Sequence, residues 1–343
     1  MPKRTNIGEL KMRESILDIA KPMESAIIQG ASGRMPLLFK DPYTPLQFVH
    51  FSDIHSIRDH WDRILNFINH YKSYLSFGIH TGDYVSGTLE GWVDLYGYGI
   101  PCERPVLNCI GNHDRATDDH KGAKKEDVAA RIFNHTEDWE VTFMEGEGSM
   151  TYFKDFPDAN IRLIVLDNYY DVEAQIVWLR ELLARSLAEG VHVITAAHQP
   201  TAPLTEIPDT TFTTVMDWSA VLPQYRADAP IYPTAFDGPI GDFIDEGGHF
   251  VCHLCGHHHR DYFGYTARGV LNIAIEAASC WSNWNDTRRV FDTRSCDCFN
   301  VTSVDVNTGI LRIARIGNNV DYYLRHKNVL CYDYINKKVI YND

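Results

Sequence analysis

Three shortages bound the reading of this 343-residue chain. Cysteine is scarce, with eight residues in all. That excludes a small domain stapled by disulfides and makes a reduced, cytoplasmic protein the expectation. No stretch approaches the roughly 18–20 consecutive apolar residues that span a bilayer. Glu9, Lys11, Arg13 and Glu14 also interrupt any apolar region behind the opening Met-Pro-Lys-Arg, so neither a membrane span nor a secretory leader is expected. Basic residues are the third shortage: 32 Lys and Arg stand against 46 Asp and Glu, a net charge of −14. Binding long nucleic acid draws on lysines and arginines that displace counterions, and this balance argues against it. An acidic chain can still take an anionic substrate where a bound cation attracts it. There is no internal repeat and no low-complexity run.

What is present is ample core material. The chain is 44% hydrophobic and 12% aromatic, with an ordinary 23% charged fraction, enough to bury a sizeable core. Histidine is the unusual abundance at 16 residues, and His257, His258 and His259 are consecutive. Residues 1–45 hold a short helical stretch over 8–20, ended by Pro22, then a Gly/Pro-containing run to Pro45. They read as an N-terminal extension packed on one main domain over 46–343.

From residue 47 the pattern becomes regular. Short apolar strands are expected at 47–51, 76–80, 106–110, 161–166, 191–196 and 250–254. Residues 56–75 place Ile57, Trp61, Ile64, Leu65, Ile68 and Leu75 on one helical face, and 172–188 form a second helix stopped by Gly190. Strand, helix, strand in alternation means a largely parallel α/β sheet. After residue 260 the character turns antiparallel. Segments 301–306 and 310–316 flank Asn307-Thr308-Gly309, a hairpin turn, and 329–332 with 338–341 make another. Two sheets of different character are the sum.

The polar residues that carry chemistry fall just past strand ends, where open α/β sheets place ligands. They are Asp53-Ile54-His55, Gly82-Asp83, Gly111-Asn112-His113-Asp114, His198, and Gly256-His257-His258-His259. Asp53, Asp83 and Asn112 are spaced by 30 and 29 residues, the length of a βαβ unit, which brings successive strand ends side by side. Carboxylates, a carboxamide and imidazoles without thiolate form a nitrogen/oxygen pocket suited to Mn, Fe or Zn. They are too many for one tetrahedral ion and enough for two, an arrangement that clamps the attacking and leaving oxygens of a displacement at phosphorus. Taken singly, each is an ordinary turn, cap or core residue; jointly and in this order they point to a metal pocket.

The series Asp-x-His, Gly-Asp, Gly-Asn-His-Asp, His, Gly-His-x-His resembles the calcineurin-like metallophosphoesterase superfamily over about residues 46–320. The resemblance implies an αββα sandwich with two central mixed sheets. It implies two metal ions: Asp53, His55 and His259 on one, Asn112, His198 and His257 on the other, and Asp83 bridging. His113 would contact the phosphoryl oxygen or protonate the leaving group, and Asp114 would orient it by accepting its ring N–H. The reaction implied is in-line attack of a metal-bound hydroxide on a small phosphomonoester or phosphodiester. A nuclease or cyclic-nucleotide phosphodiesterase on the same site, and a non-catalytic metal-binding interaction protein, are the alternatives. Purple acid phosphatases carry a tyrosine three residues after the bridging aspartate; here that position is Ser86, with Tyr84 directly after Asp83. A scaffold member stripped of its metal residues is disfavoured, since all seven ligand positions are filled.

Three further features stand apart. Cys252 and Cys255 read as buried structural thiols, because a zinc ribbon needs a second pair and Cys296-x-Cys298 has the wrong spacing. His80 and His258 read as non-ligands. Segments 115–150 and 200–236, and the segment holding Trp281, Trp284, Arg288 and Arg289, read as irregular loops over the active face, where an arginine could grip a phosphate.

Overall fold

Successive side chains of a strand point to opposite faces, and here most strands are buried on both, so their side chains divide between two layers. The computed structural model describes residues 43–86, 101–115, 124–132, 139–146, 150–201, 235–257, 259, 261–279, 289, 296–318 and 329–342. The expected N-terminal extension, apart from residues 43–45, lies outside them, as do most of 200–236, His258, Trp281, Trp284 and Arg288.

In chain order the elements are β1 (Leu46–Phe51), α1 (Arg58–His70), β2 (Phe77–His80), β3 (Val106–Asn108), α2 (Lys125–Ile132), β4 (Thr142–Phe143), β5 (Tyr152–Phe156), β6 (Ile161–Val165), α3 (Val172–Glu189), β7 (His192–Ala196), α4 (Asp237–Asp245), β8 (Phe250–Cys255), β9 (Tyr262–Tyr265), β10 (Leu271–Ala274), β11 (Cys298–Asp305), β12 (Ile310–Gly317), β13 (Val329–Asp333) and β14 (Lys338–Asn342). They build two seven-stranded mixed sheets, ordered β14-β13-β12-β11-β1-β2-β3 and β4-β5-β6-β7-β8-β10-β9. β1, β2 and β3 run parallel, as do β6, β7, β8 and β10.

The core follows the strand period. Leu46 and Phe48 of β1, with Phe77 and Ile79 of β2, meet Leu163, Ile194 and Ile273 of the other sheet in one buried cluster. Val49 and Phe51 turn the other way, onto Trp61, Ile64 and Ile68 of α1. On the far side, Ile164 and Val193 pack against Leu179 and Leu183 of α3 and Ile240 of α4. The order is therefore helix, sheet, sheet, helix. α3 stops where expected, at Gly190 in the left-handed region, whose N–H bonds back to Ser186 and Leu187. The expected hairpins are present as β11–β12 and β13–β14.

Two expectations need correction. Segment 115–150 is not wholly irregular, since it contains α2 and β4. Nor is everything past residue 260 antiparallel: β10 pairs parallel with β8, and β9 folds back onto it. These are short elements of two to eight residues, too brief for a period to declare itself.

Polar groups also tie the sheets together. Arg315 of β12 is fully buried and donates to Asp261 at the head of β9, to Asn300 Oδ1 (2.9 Å) and to Asn318 O (3.0 Å). Cys252 and Cys255 are buried free thiols raised by burial, as a structural role requires. Asp261→Ala strands the Arg315 guanidinium in the core. Urea unfolding should show a loss of about 3–5 kcal/mol, and an unchanged midpoint would refute the tie.

Core histidines set the acid limit. Burial and Arg315 hold His50 at about 3, burial and His249 hold His192 at about 4, and burial holds His253 at about 4. An unfolded histidine protonates near 6.5, so between that value and 4 the unfolded chain binds more protons and stability rises with pH. The contribution is complete above pH 6.5 and is lost as pH falls toward 4. Urea midpoints of metal-free protein should therefore drop steeply between pH 6.5 and 4.5.

Candidate metal centre

Five parallel strands deliver the site, each from its C-terminal end. β1 leads to Asp53 and His55, β2 to Asp83, β3 to Asn112, β7 to His198, and β8 to His257 and His259. One sheet thus supplies four of these residues and the other sheet three. The loops interlock through backbone bonds. Asp53 N donates to Gly82 O (3.0 Å), His55 N to Asp83 O (3.0 Å) and Gly256 N to His198 O (2.9 Å). His257 N donates to Asp53 Oδ2 (3.1 Å), crossing from one sheet to the other.

The approach is close enough to exclude a side chain at the preceding glycines. A Cβ on Gly111 would sit 2.1 Å from Asp83 Oδ1, and one on Gly256 would sit 1.8 Å from Ser52 Oγ. The Gly-Asn-His and Gly-His pairs in the sequence thus mark backbone contact, not only turns.

All seven ligand candidates converge. The donor atoms of Asp53, His55, Asp83 and His259 lie within 4.8 Å of one another, and so do those of Asp83, His198 and His257; Asp83 is common to both groups. Asn112 Oδ1 lies 3.1 Å from His198 Nε2, which also faces His257 Nδ1 (3.1 Å) and Asp83 Oδ2 (3.2 Å). On the other side His55 Nε2 and His259 Nε2 stand 2.9 Å apart, and His259 Nε2 is 3.2 Å from Asp53 Oδ1.

Donor chemistry fits cations. His198 Nδ1 donates to Thr81 O (2.7 Å), which leaves Nε2 as the ring nitrogen turned toward the cluster. Asp53 Oδ1 is buried and accepts no hydrogen bond, as suits an oxygen that would face a cation. Burial opposes the charge of both aspartates. His259 nevertheless holds Asp53 below the usual carboxylate range, and His198 does the same for Asp83. Burial would lower His198, but Asp83 holds it up at about 9. Burial takes His55 down to about 4 against the pull of Asp83.

The backbone is strained here. Asp53, His55, Asp83, His257 and His259 all have φ between 50° and 72°. Each such residue costs on the order of 1–3 kcal/mol, and strain of this kind gathers at functional sites. No sequence pattern announces it.

His113 opens a 3-10 turn, His113–Arg115. Its backbone N donates to Asp83 Oδ1 (2.8 Å), and its ring lies edge-on to His55 with centroids 5.0 Å apart. Asp114 departs from expectation. Its carboxylate accepts the backbone N–H groups of Asp83 (2.9 Å), Tyr84 (2.8 Å), Val85 (3.2 Å) and Gly111 (2.8 Å). Adjacent residues of a helical turn point apart, so Asp114 reaches inward and fastens the Asp83 loop rather than orienting the His113 ring. Burial and Asp83 push its carboxyl up to about 8, against the pull of the N–H donors.

Arg289 is a second correction. It is buried and donates to Glu276 Oε1 (3.1 Å), Ala277 O (2.7 Å) and Ala278 O (3.0 Å), so it braces the loop after β10 and is not turned to a ligand. His80 is buried beside Tyr84, with ring centroids 3.8 Å apart, and stays outside both ligand groups as expected. Ser279, which stands in no motif, donates from Oγ to Asp53 O (2.8 Å) and pins the first ligand loop.

Among known proteins, the family model described as calcineurin-like phosphoesterase matches residues 46–261. No curated protein matches by sequence. Solved structures with similar coordinates include a dimetal phosphatase from Danio rerio, 12% identical, TM-score 0.49, covering 81% of this chain and 97% of that one. Another is GAP50, the anchor in the inner membrane complex of Plasmodium, 12% identical, TM-score 0.44, covering 87% of each chain. A predicted phosphoesterase from Streptococcus pneumoniae is 11% identical, TM-score 0.32, covering 81% of this chain and 93% of that one. Among the described residues no helix is long and apolar enough to cross a membrane. With its two mixed sheets, its ligand candidates at parallel strand ends and a family match over more than half of its length, the chain belongs to the calcineurin-like phosphoesterase family.

Proposed function

We propose that the protein is a dinuclear metal-dependent phosphoesterase acting on a small phosphorylated substrate in the cytoplasm. The observation that carries this reading is the position of the Asp83 carboxylate, common to two groups of buried ligand atoms. Asp53, His55 and His259 would hold one ion, Asn112, His198 and His257 the other, and Asp83 both. The nitrogen/oxygen donor set suits Mn, Fe or Zn. Two such ions supply Lewis acidity toward a phosphoryl oxygen and lower the pKa of bound water toward neutrality.

The chain's own groups supply the rest. Asn112 contributes an oxygen without negative charge, so it adds no repulsion against an incoming phosphate. His113, half-buried beside His55, is placed to give a proton to the oxygen of the departing alcohol. Asp114 keeps Asp83 in register from behind. Local positive charge at the site, not lysine on the surface, draws the anion into a chain of net charge −14.

The test is hydrolysis of p-nitrophenyl phosphate and bis(p-nitrophenyl) phosphate by manganese-loaded protein. Asp83→Asn should abolish turnover, and His113→Ala should lower it by about 10²–10⁴-fold, the usual contribution of a positioned acid, with circular dichroism unchanged. Full activity in either variant overturns the role given to it. Two bound metals with neither substrate hydrolysed would favour the non-catalytic alternative.

A further inference from the structure

The geometry points to Arg115 as the side chain that binds a phosphoryl oxygen which monoesters have and diesters lack, making this a site for phosphomonoesters. The inference rests on the phosphoesterase reading above. Arg115 closes the 3-10 turn His113–Arg115. The turn follows directly on Asn112, whose Oδ1 is 3.1 Å from His198 Nε2, and Tyr169, over which Arg115 lies, reaches Gln199 beside His198.

The guanidinium lies over two tyrosine rings. Its carbon lies 4.7 Å from the ring centroid of Tyr169 and 5.1 Å from that of Tyr170. Stacking on rings uses the π surface of the cation and leaves the N–H groups at its edge to bind an anion in the plane. Nε is buried and has no hydrogen-bond partner. Among the described residues no carboxylate makes an ion pair with Arg115, although the buried Asp167 carboxylate at the start of the same loop lies near enough to feel its charge; nearby Lys125 pairs with Asp171, and Arg289 is spent on Glu276 and carbonyls.

The platform beneath it is rigid and anchored to the metal loops. Gln175 Oε1 accepts Asp167 N (2.9 Å), and its Nε2 donates to Asp167 O (2.9 Å) and Tyr170 O (2.6 Å). Asp167 Oδ1 accepts Tyr169 N (2.8 Å). Gln199, next to His198, donates from its backbone to Asn168 Oδ1 (3.0 Å) and from Nε2 to the Tyr169 hydroxyl (3.3 Å). A loop fixed at this many points serves to hold something, and what it holds is the cation.

A phosphomonoester has three non-bridging oxygens and a charge near −2 at neutral pH; a diester has two such oxygens and a single charge. A planar fork with an unsatisfied buried N–H gains most from the first. An ammonium at this position keeps the charge and loses both the fork and the stacking.

The experiment measures binding as well as turnover. Manganese-loaded wild type, Arg115→Ala and Arg115→Lys are titrated calorimetrically with inorganic phosphate and with dimethyl phosphate, after metal content and melting temperature have been recorded for each. The expected result is two metals in all three proteins. Phosphate affinity should fall about 10–100-fold in Arg115→Ala, the range of a charged hydrogen bond, with Arg115→Lys intermediate and dimethyl phosphate affinity changed less than threefold. In kinetics, KM for p-nitrophenyl phosphate should rise more than kcat falls. Equal phosphate affinity in wild type and Arg115→Ala overturns the inference while leaving the phosphoesterase reading intact. So do equal losses for phosphate and dimethyl phosphate. If Arg115→Ala fails to fold, Arg115→Lys carries the test on the same criteria. Wild type that binds neither metal nor phosphate defeats the underlying reading instead.

Discussion

Two buried carboxylates, Asp53 and Asp83, repel one another at the C-terminal edges of β1 and β2, and much of the architecture holds them in place. A buried anion is expensive unless paired and hydrogen-bonded. Here the compensation is unusual, because the groups around the carboxylates are mostly imidazoles with nitrogen facing nitrogen, as at His55 and His259 and at His198 and His257. Such a cluster balances its charges fully only when cations enter it. The left-handed backbone at five of the seven positions belongs to the same account, since local strain persists only where surrounding structure over-determines it. Asp114 is part of that surround: four backbone N–H groups close on one carboxylate and lock the loop bearing Asp83 against the turn bearing His113.

Because the ligands come from both sheets, the centre depends on how the sheets meet. The inter-sheet core of Phe48, Ile79, Leu163 and Ile273 sets their separation, and buried Arg315 fixes β12 to the head of β9. Nearer the site, Ala278 N to Ser52 O (2.8 Å) and His257 N to Asp53 Oδ2 (3.1 Å) carry that register into the ligand loops. Packing far from the site therefore controls the geometry of the ligand candidates, and the glycines at 111 and 256 are the points where it leaves no room.

Much of this could be read from sequence, for physical reasons. Strands such as β1, β6 and β8 are mostly apolar because a parallel strand is covered on both faces, and the clustered polar residues just past their ends stand out against that background. The five motifs were therefore visible, as were α3 with its Gly190 stop and the Asn307-Thr308-Gly309 hairpin. The elements that went unseen, β4, β9, β10 and α2, are short. The inward role of Asp114 was hidden for another reason: its partners are backbone groups about 30 residues away, which leave no signature in residue type. Arg289 misled because an arginine in a polar segment looks the same whether it faces solvent or carbonyl groups. Arg115 carries no signature in the sequence, because its meaning lies in two tyrosines more than fifty residues along the chain.

The account stands on one shared carboxylate holding two ions together, and electron paramagnetic resonance of the manganese-loaded protein tests that most directly. Two manganese ions bridged by Asp83 would be about 3.5–4 Å apart and exchange-coupled. The spectrum should then show a coupled multiline signal at two metals per chain, collapsing to isolated-ion lines in Asp83→Asn. A single uncoupled manganese per wild-type chain, at saturating metal, would contradict the dinuclear centre.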